Sequence, residues 1–297
     1  MIIITIPAFN EEKTLGQVLD DINKVMKDLS YDHKILVVDD GSTDNTSLVA
    51  KNHGAAVFAH PKNYGLAETF KTEIEQCLKM GAEIIVHIDA DGQYHARDIT
   101  RLIEEVKKGN DLVLGSRFKG NIEYMPFINK IGNRAFSAVI SGITKTKITD
   151  AQTGLRAFSQ EVAKKVGITS NFTYTQEQII RAIKLKFKVK EIPVDFARRK
   201  DKSRLFGHPF SYAIKAGLTI LRIYRDYEPL KFFTFIGGSL FGTGFLIGIW
   251  LLYLFLSSGA IRHIPSAILS MLFIVIGIQI LIFGFLADMI KNKRINH

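Results

Sequence analysis

The chain has 297 residues, 47% of them hydrophobic, with a formal charge of +10 and a single cysteine, Cys77. That length holds one large domain or a domain with an appendage, and one cysteine excludes an intramolecular disulfide or a cysteine metal cluster. The positive balance points to an anionic partner: a nucleotide, lipid head groups or nucleic acid.

Ile2–Ile6 reads as a first strand, stopped by Pro7. The opening Met1-Ile2-Ile3-Ile4 has no basic lead, so no signal peptide is expected and the N-terminal domain is expected in the cytoplasm. Asn10-Glu11-Glu12 then opens a helix whose Leu15, Val18, Leu19, Ile22, Val25, Met26 and Leu29 form a core-facing stripe. Ile35–Val38 is the second strand and ends in Asp39-Asp40-Gly41-Ser42; Thr43 or Asp44 can cap the next helix, and Gly54 can end it. Ala55–Ala59 is a third strand. Leu66–Met80 is another helix, closed by Gly81, in which Cys77 shares an apolar stripe with Phe70, Ile74 and Leu78, the setting of a buried structural thiol. Ile84, Ile85, Val86 and Ile88 form a short β-branched run, the pattern of a strand buried on both faces. Asp98–Lys108 is a helix closed by Gly109, and Leu112–Leu114 a strand ending in Gly115-Ser116-Arg117. Strands alternating with helices predict a parallel sheet covered on both faces, with ligands at the carboxyl edge.

The central strand ends in Asp89-Ala90-Asp91-Gly92-Gln93. Two carboxylates two residues apart in an extended segment point the same way, and Gln93 adds a further oxygen. Hard oxygen donors suit Mg²⁺ or Mn²⁺, which bind through one or two carboxylates plus substrate phosphates; a solvated acidic turn would read the same in isolation. Two other strand ends are polar too, Pro7-Ala8-Phe9-Asn10-Glu11 and Asp39-Asp40-Gly41-Ser42. A dinucleotide-binding domain would carry Gly-x-Gly-x-x-Gly after its first strand. Here that strand meets a proline, which argues against a nicotinamide or flavin enzyme.

Ile6-Pro7-Ala8-Phe9-Asn10-Glu11-Glu12, Val37-Val38-Asp39-Asp40-Gly41-Ser42-Thr43-Asp44, Asp89-Ala90-Asp91-Gly92-Gln93 and Gly115-Ser116-Arg117 together resemble family 2 glycosyltransferases. Within that family the chain is most similar to the dolichol-phosphate (polyprenyl-phosphate) mannose and glucose synthases, over roughly residues 1–230. The resemblance implies an α/β nucleotide-sugar-binding domain with a mostly parallel central sheet covered by helices, the A-type glycosyltransferase fold. It implies an inverting, metal-assisted transfer of a hexose from GDP-mannose, UDP-glucose or UDP-N-acetylglucosamine to a lipid phosphate. Pro7, Ala8, Phe9, Glu11, Asp39, Asp40, Asp89 and Ala90 would then hold the nucleotide sugar, and Asp89, Asp91 and Gln93 the Mg²⁺ or Mn²⁺ on its diphosphate, with Asp91 catalytic.

From Met125 an amphipathic helix with a basic side carries Phe127, Ile128, Ile131, Phe136, Val139, Ile140 and Ile143 beside Lys130, Arg134 and Lys145; it suits a membrane interface or ordinary core packing. Thr149–Arg156 resembles the family's acceptor-side segment, with a tight turn at Gly154 and acceptor candidates at Asp150, Gln152 and Arg156. Gln176-Glu177-Gln178 opens a helix where related transferases place a catalytic base. A lipid phosphate needs none, because its second pKa near 6 leaves it mostly dianionic at neutral pH; Glu177 is then a positioning residue. What two anions need is positive charge, and Arg117, Arg134, Arg156 and Arg204 are the candidates. The basic run Arg198-Arg199-Lys200-Asp201-Lys202-Ser203-Arg204 reads as a solvated loop or, by the resemblance, as a loop closing over the pyrophosphate through Lys202, Ser203 and Arg204. It lacks the interleaved aromatics of an RNA-binding surface.

His208–Tyr227 is a further amphipathic helix, and Phe232–Leu256 and Ile264–Ile290 each exceed the ~20 residues that span ~30 Å of hydrocarbon. The expected division is a catalytic domain over 1–207, a juxtamembrane helix over 208–230 and a two-helix transmembrane hairpin over 231–297. Arg222, Arg225 and Lys231 precede the hairpin and Lys291, Lys293 and Arg294 follow it, whereas its turn has only Arg262, so both termini are expected in the cytoplasm. Gly238/Gly242 and Gly244/Gly248 have the spacing for close helix packing or self-association, and Gln279 reads as interhelical glue. A processive polysaccharide synthase is a poor fit: it carries Gln-x-x-Arg-Trp, and the one tryptophan here, Trp250, lies inside a span. A catalytically dead sugar-nucleotide scaffold is the non-enzymatic alternative.

Overall fold

The computed structural model describes residues 1–28, 31–168, 174–198, 209–259 and 263–295, and the chain divides into two compact units, Met1–Pro209 and Phe210–His297. In chain order the first unit runs β1 (Ile2–Ala8), α1 (Leu15–Asp28), β2 (His33–Asp39), α2 (Thr46–Asn52), β3 (Ala56–Ala59), α3 (Leu66–Lys79), β4 (Ile84–His87), α4 (Arg97–Lys107), β5 (Leu112–Ser116), α5 (Phe127–Thr144), β6 (Arg156–Ser159), α6 (Gln160–Lys165), α7 (Tyr174–Lys184) and β7 (Val189–Pro193). A 3₁₀ turn, Arg117–Lys119, follows β5 directly.

The strands form one seven-stranded sheet in the order β3-β2-β1-β4-β6-β5-β7. β1 pairs in parallel with β2 and β4, and β5 with β7. All of β1 is buried, as expected of an apolar strand covered on both faces, and each such isoleucine contributes about 1.5–3 kcal/mol of burial. Leu15, Leu19, Ile22 and Met26 of α1 close one face, so the 3.6-residue stripe finds its core.

The sheet departs from the sequence expectation in two strands. β6 inserts antiparallel between β4 and β5; no strand is expected there, and only its first residue, Arg156, belongs to the segment read as acceptor-side. It is short and opens on a buried arginine, so it has no apolar run to announce it. β7 is not expected either: only Ile192 of its five residues is buried and Lys190 is exposed, so no apolar alternation marks it. The first helix also starts later than expected, at Leu15. Glu11 still accepts the amides of Thr14 and Leu15 through its carbonyl, but residues 10–12 are drawn into contacts with the β2 loop.

The second unit contains α8 (Pro209–Tyr227), α9 (Pro229–Ser258) and α10 (Ile264–Ile295). Pro229–Ser258 and Ile264–Lys291 are long and apolar enough to cross a membrane, and α9 and α10 pack against each other. Of the glycines expected to allow close packing, Gly244 and Gly248 face the seam and Gly238 and Gly242 do not, while Gly237 and Gly277 join it unexpectedly. A Cβ at Gly237 would lie 2.8 Å from the Gly277 carbonyl, and one at Gly244 would lie 2.7 Å from the Ser270 carbonyl. Ser270 Oγ donates to the Gly244 carbonyl across the seam. At Gly238 and Gly242 a Cβ meets nothing within 4 Å among the described residues. Gln279 is exposed on the outside of the hairpin, so it does not join these two helices.

Candidate functional site

The carboxyl ends of β1 and β2 are tied into one rim. Asn10 takes a left-handed conformation, φ 56°, which lets its amide donate to Ser42 Oγ (2.8 Å) while its side-chain oxygen accepts the Thr43 amide (2.7 Å). Glu11 N donates to Thr46 Oγ1 (2.8 Å), and Glu12 accepts the Asn45 amide (3.1 Å). Asp39 and Asp40 are each only 4% exposed. Asp39 accepts from Ser42 N (2.9 Å) and Ser47 Oγ. Asp40 accepts the amides of Tyr64 (2.9 Å) and Gly65 (2.8 Å) and lies 2.8 Å from His60 Nδ1. Both carboxylates therefore fasten loops. Gly41, at φ 73°, is needed because a Cβ there would collide with the Lys62–Asn63 backbone. Of the other residues expected here, Pro7, Ala8 and Ala90 are buried and Phe9 is exposed beside them.

Beyond β4 the chain presents Asp89 and Asp91, both half-buried. The Gln93 amide donates to Asp91 Oδ1 (3.1 Å), closing a turn with Gly92 at φ 71°. Gln93 is also tied to residue 197: its side-chain nitrogen donates to the Ala197 carbonyl (3.1 Å) and its own carbonyl accepts the Ala197 amide (2.9 Å). Gly154 packs on Asp89 so closely that a Cβ would overlap the carboxylate. Its value is close approach, not the positive φ of a tight turn. Tyr94 Oη fixes that approach by accepting the Gly154 amide (3.0 Å).

A buried ion pair forms the next part of the edge. Arg117 donates from Nε to Asp150 Oδ2 (2.7 Å) and from Nη2 to Oδ1 (2.8 Å), and its backbone amide adds a third bond (3.0 Å). Nη1 is left without a hydrogen bond among the described residues, and the guanidinium lies 5.1 Å from the Phe196 ring centre. Burial works against this charge, but Tyr94, Asp150 and Asp89 outweigh it and hold Arg117 firmly protonated. Glu191 of β7 positions Asp150 in turn, accepting the amides of Thr149 (2.8 Å) and Asp150 (3.0 Å). Beside this pair a cavity of about 350 Å³ is lined by Phe118, Arg134, Ser137, Ala138, Ile148 and Thr149. The exposed Arg134 guanidinium lies over Phe118, 5.5 Å from the ring centre.

The remaining expected residues are placed differently. Arg156 is wholly buried and spends Nη1 on Gln178 Oε1 (3.0 Å) and the Thr175 carbonyl (3.3 Å), and Nη2 on the Thr153 carbonyl, so it has no face for a phosphate. Burial lowers its pKa from the ordinary arginine value. Glu177 is buried and paired with Arg181 at 3.0 Å. Gln152 is half-buried. Lys202, Ser203 and Arg204 lie outside the described residues.

Asp89 and Asp91 fit a divalent cation by the chemistry of their oxygens and by the missing Cβ at Gly154 beside them. Among the described residues no cluster of three or more His, Cys, Asp or Glu side chains could enclose a metal. A cation held there would complete its shell with phosphate and water, the habit of Mg²⁺ rather than of an all-protein cage.

Residues 3–167 match the profile of glycosyl transferase family 2. The chain belongs to that family. It is 39% identical to an uncharacterised protein of Methanocaldococcus jannaschii over 65% of this chain and 80% of that one. It is 31% identical to a UDP-N-acetylglucosamine–dolichyl-phosphate N-acetylglucosaminyltransferase of Methanococcus voltae, over 65% of this chain and 84% of that one. In fold it is similar to glucosyl-3-phosphoglycerate synthase of Mycobacterium tuberculosis, crystallised with Mn²⁺, UDP and phosphoglyceric acid: TM-score 0.59, 18% identity, 75% of this chain and 77% of that one. At that identity the likeness is one of fold. The family 2 match stops before α7, β7 and the hairpin. Glu191 and Phe196 therefore reach the glycosyltransferase edge from outside it. The sequence signal for Glu191 was slight, one acid between Lys190 and Ile192-Pro193. Tyr94 and Gly154 gave none, since what matters is which residues they touch.

Proposed function

We propose that this glycosyltransferase moves a hexose from a nucleoside diphosphate sugar to a polyprenyl or dolichyl phosphate at a membrane surface. The observation that carries the reading is the convergence, at one sheet edge, of two carboxylates able to grip a diphosphate-bound cation with the ordered Arg117 guanidinium. The Methanococcus relative's name, with its dolichyl-phosphate acceptor, supports the acceptor class, and the two long apolar helices support a membrane setting.

In this mechanism the acceptor phosphate oxygen attacks the anomeric carbon from the side opposite the diphosphate. A new C–O bond forms as the bond to the diphosphate breaks, the electron pair leaves with the nucleotide, and the anomeric configuration inverts. Mg²⁺ or Mn²⁺ supplies charge neutralisation for the departing diphosphate; Asp89 and Asp91 would hold it, with Gln93 fixing the Asp91 turn. The rim of residues 7–11 with Asp39 and Asp40 seats the nucleotide. Arg117, through Nη1, and Arg134, over its cavity, bring the acceptor phosphate in against its own repulsion. The sequence candidates Asp150 and Gln152 complete the acceptor side, Asp150 by orienting Arg117, while Glu177, paired with Arg181 within α7, is a positioning residue. Lys202, Ser203 and Arg204 close over the pyrophosphate. Residues 1–207 form the catalytic domain, 208–230 the juxtamembrane segment and 231–297 the anchor, with the catalytic domain and both termini in the cytoplasm.

The test is to incubate the full chain in nanodiscs with polyprenyl phosphate and labelled GDP-mannose, UDP-glucose or UDP-N-acetylglucosamine. The expected result is one labelled lipid whose sugar is lost on mild acid. Nucleotide-sugar binding with no transfer from any donor would instead identify a scaffold.

A further inference from the structure

Behind Asp89 a chain of polar side chains runs through the protein interior. His87 and Asp89 are two residues apart along the end of β4, so their side chains leave the same face. The His87 ring is fully buried and held from both ends. Its Nδ1 lies 2.7 Å from Glu73 Oε2 of α3, and its Nε2 lies 3.0 Å from the Tyr174 hydroxyl at the start of α7. Phe70 meets it edge-on, with ring centres 5.2 Å apart. So fixed, the Nε2 edge stands 4.0 Å from Asp89 Oδ1, while Gly154 backs Oδ2.

Stability does not account for this arrangement. Burying an ionisable pair costs several kcal/mol in desolvation, and apolar residues of equal volume are often as good or better. Glu73 Oε1 is itself buried with no hydrogen-bond partner among the described residues, a further penalty. Side chains that orient a metal-holding group from behind are worth about 10–100-fold in metal affinity.

We infer that Glu73, His87 and Tyr174 are positioning residues for the Asp89 carboxylate, acting through the His87 ring to hold it ready for the cation that accompanies the sugar nucleotide. The inference rests on the cation reading of Asp89 and Asp91. Asp89 has two neighbours that restrict its rotamer, the imidazole edge at one oxygen and the Gly154 backbone at the other. Releasing the imidazole leaves a carboxylate that must be ordered each time the cation binds.

Mn²⁺ binding by the full-length protein in detergent, followed by electron paramagnetic resonance with UDP and separately with GDP, tests it without turnover. His87→Leu keeps the ring's approximate volume and is expected to weaken Mn²⁺ binding about 10-fold or more. Tyr174→Phe removes one oxygen and is expected to weaken it roughly threefold, the scale of one hydrogen bond. His87→Gln, which returns a polar nitrogen near the Nε2 position, is expected to recover most of the loss. Wild-type Mn²⁺ affinity in Tyr174→Phe and in a folded His87→Leu protein would overturn the inference, as would equal losses in His87→Leu and His87→Gln. Should His87→Leu not fold, Tyr174→Phe and His87→Gln decide. If the wild-type protein binds no Mn²⁺ in the presence of UDP or of GDP, the cation reading itself falls, and the inference with it.

Discussion

Gly154 lies so close to the Asp89 carboxylate that one methyl group would collide with it. Gly154→Ala is therefore expected to displace Asp89 at a cost of about 1–3 kcal/mol, and to raise the metal concentration for half-maximal transfer by at least as much as it lowers Tm. A metal titration of activity beside a melting curve checks this. Cys77, one turn along α3 from Glu73, is a second test at this scale. Burial, with Glu73 nearby, pushes its thiol well above the ordinary cysteine range, so less thiolate is present at pH 8 than in a free cysteine. Iodoacetamide should leave the native protein unlabelled by mass spectrometry and label it once denatured. At this scale the sequence was half legible. Asp89-x-Asp91 and Cys77 could be read from their own neighbours, because strand and helix periodicity place them. Arg156 could not: nothing in Gly154-Leu155-Arg156 tells a buried guanidinium from one facing a phosphate. Asp39 and Asp40 read as nucleotide-holding acids, and their second task of fastening the rim loops was not legible.

Among elements, the strands with continuous apolar runs were legible and those defined by their partners were not. β1, β2 and β4 lie inside the sheet with core on both of their faces, so their composition alone marks them. β6 owes its place to pairing with both β4 and β5. No local pattern encodes the direction of such a strand, because antiparallel insertion is decided by what lies on either side. The hairpin shows the same limit. Spacing picked out Gly238/Gly242 and Gly244/Gly248 alike, whereas the helix rotation seen here puts Gly244 and Gly248, with Gly237 and Gly277, at the seam and leaves Gly238 and Gly242 off it. Gly244→Leu should therefore split α9 from α10 and lower the melting temperature in detergent, while Gly242→Leu should leave it within a degree or two. Differential scanning fluorimetry of the two variants checks the contrast.

Taken as a whole molecule, the chain joins a family 2 glycosyltransferase unit to two apolar helices, and that pairing makes sense when the acceptor is itself a lipid. Holding both reactants at one surface replaces a bimolecular search by a local one. Removing residues 231–297 is accordingly expected to leave UDP or GDP binding in place while lowering transfer to long-chain polyprenyl phosphate far more than transfer to a short, water-soluble analogue. Equal losses on both acceptors would assign the helices another task. The most direct test is the metal dependence of transfer in the full chain, wild type against Asp91→Asn, in nanodiscs with polyprenyl phosphate and the productive sugar nucleotide. Wild-type transfer should vanish with EDTA and return with Mg²⁺ or Mn²⁺, and Asp91→Asn should stay inactive at any metal concentration while melting like the parent. Transfer by Asp91→Asn at the wild-type rate, or wild-type transfer indifferent to EDTA, would contradict the central role given to the carboxylates at the end of β4.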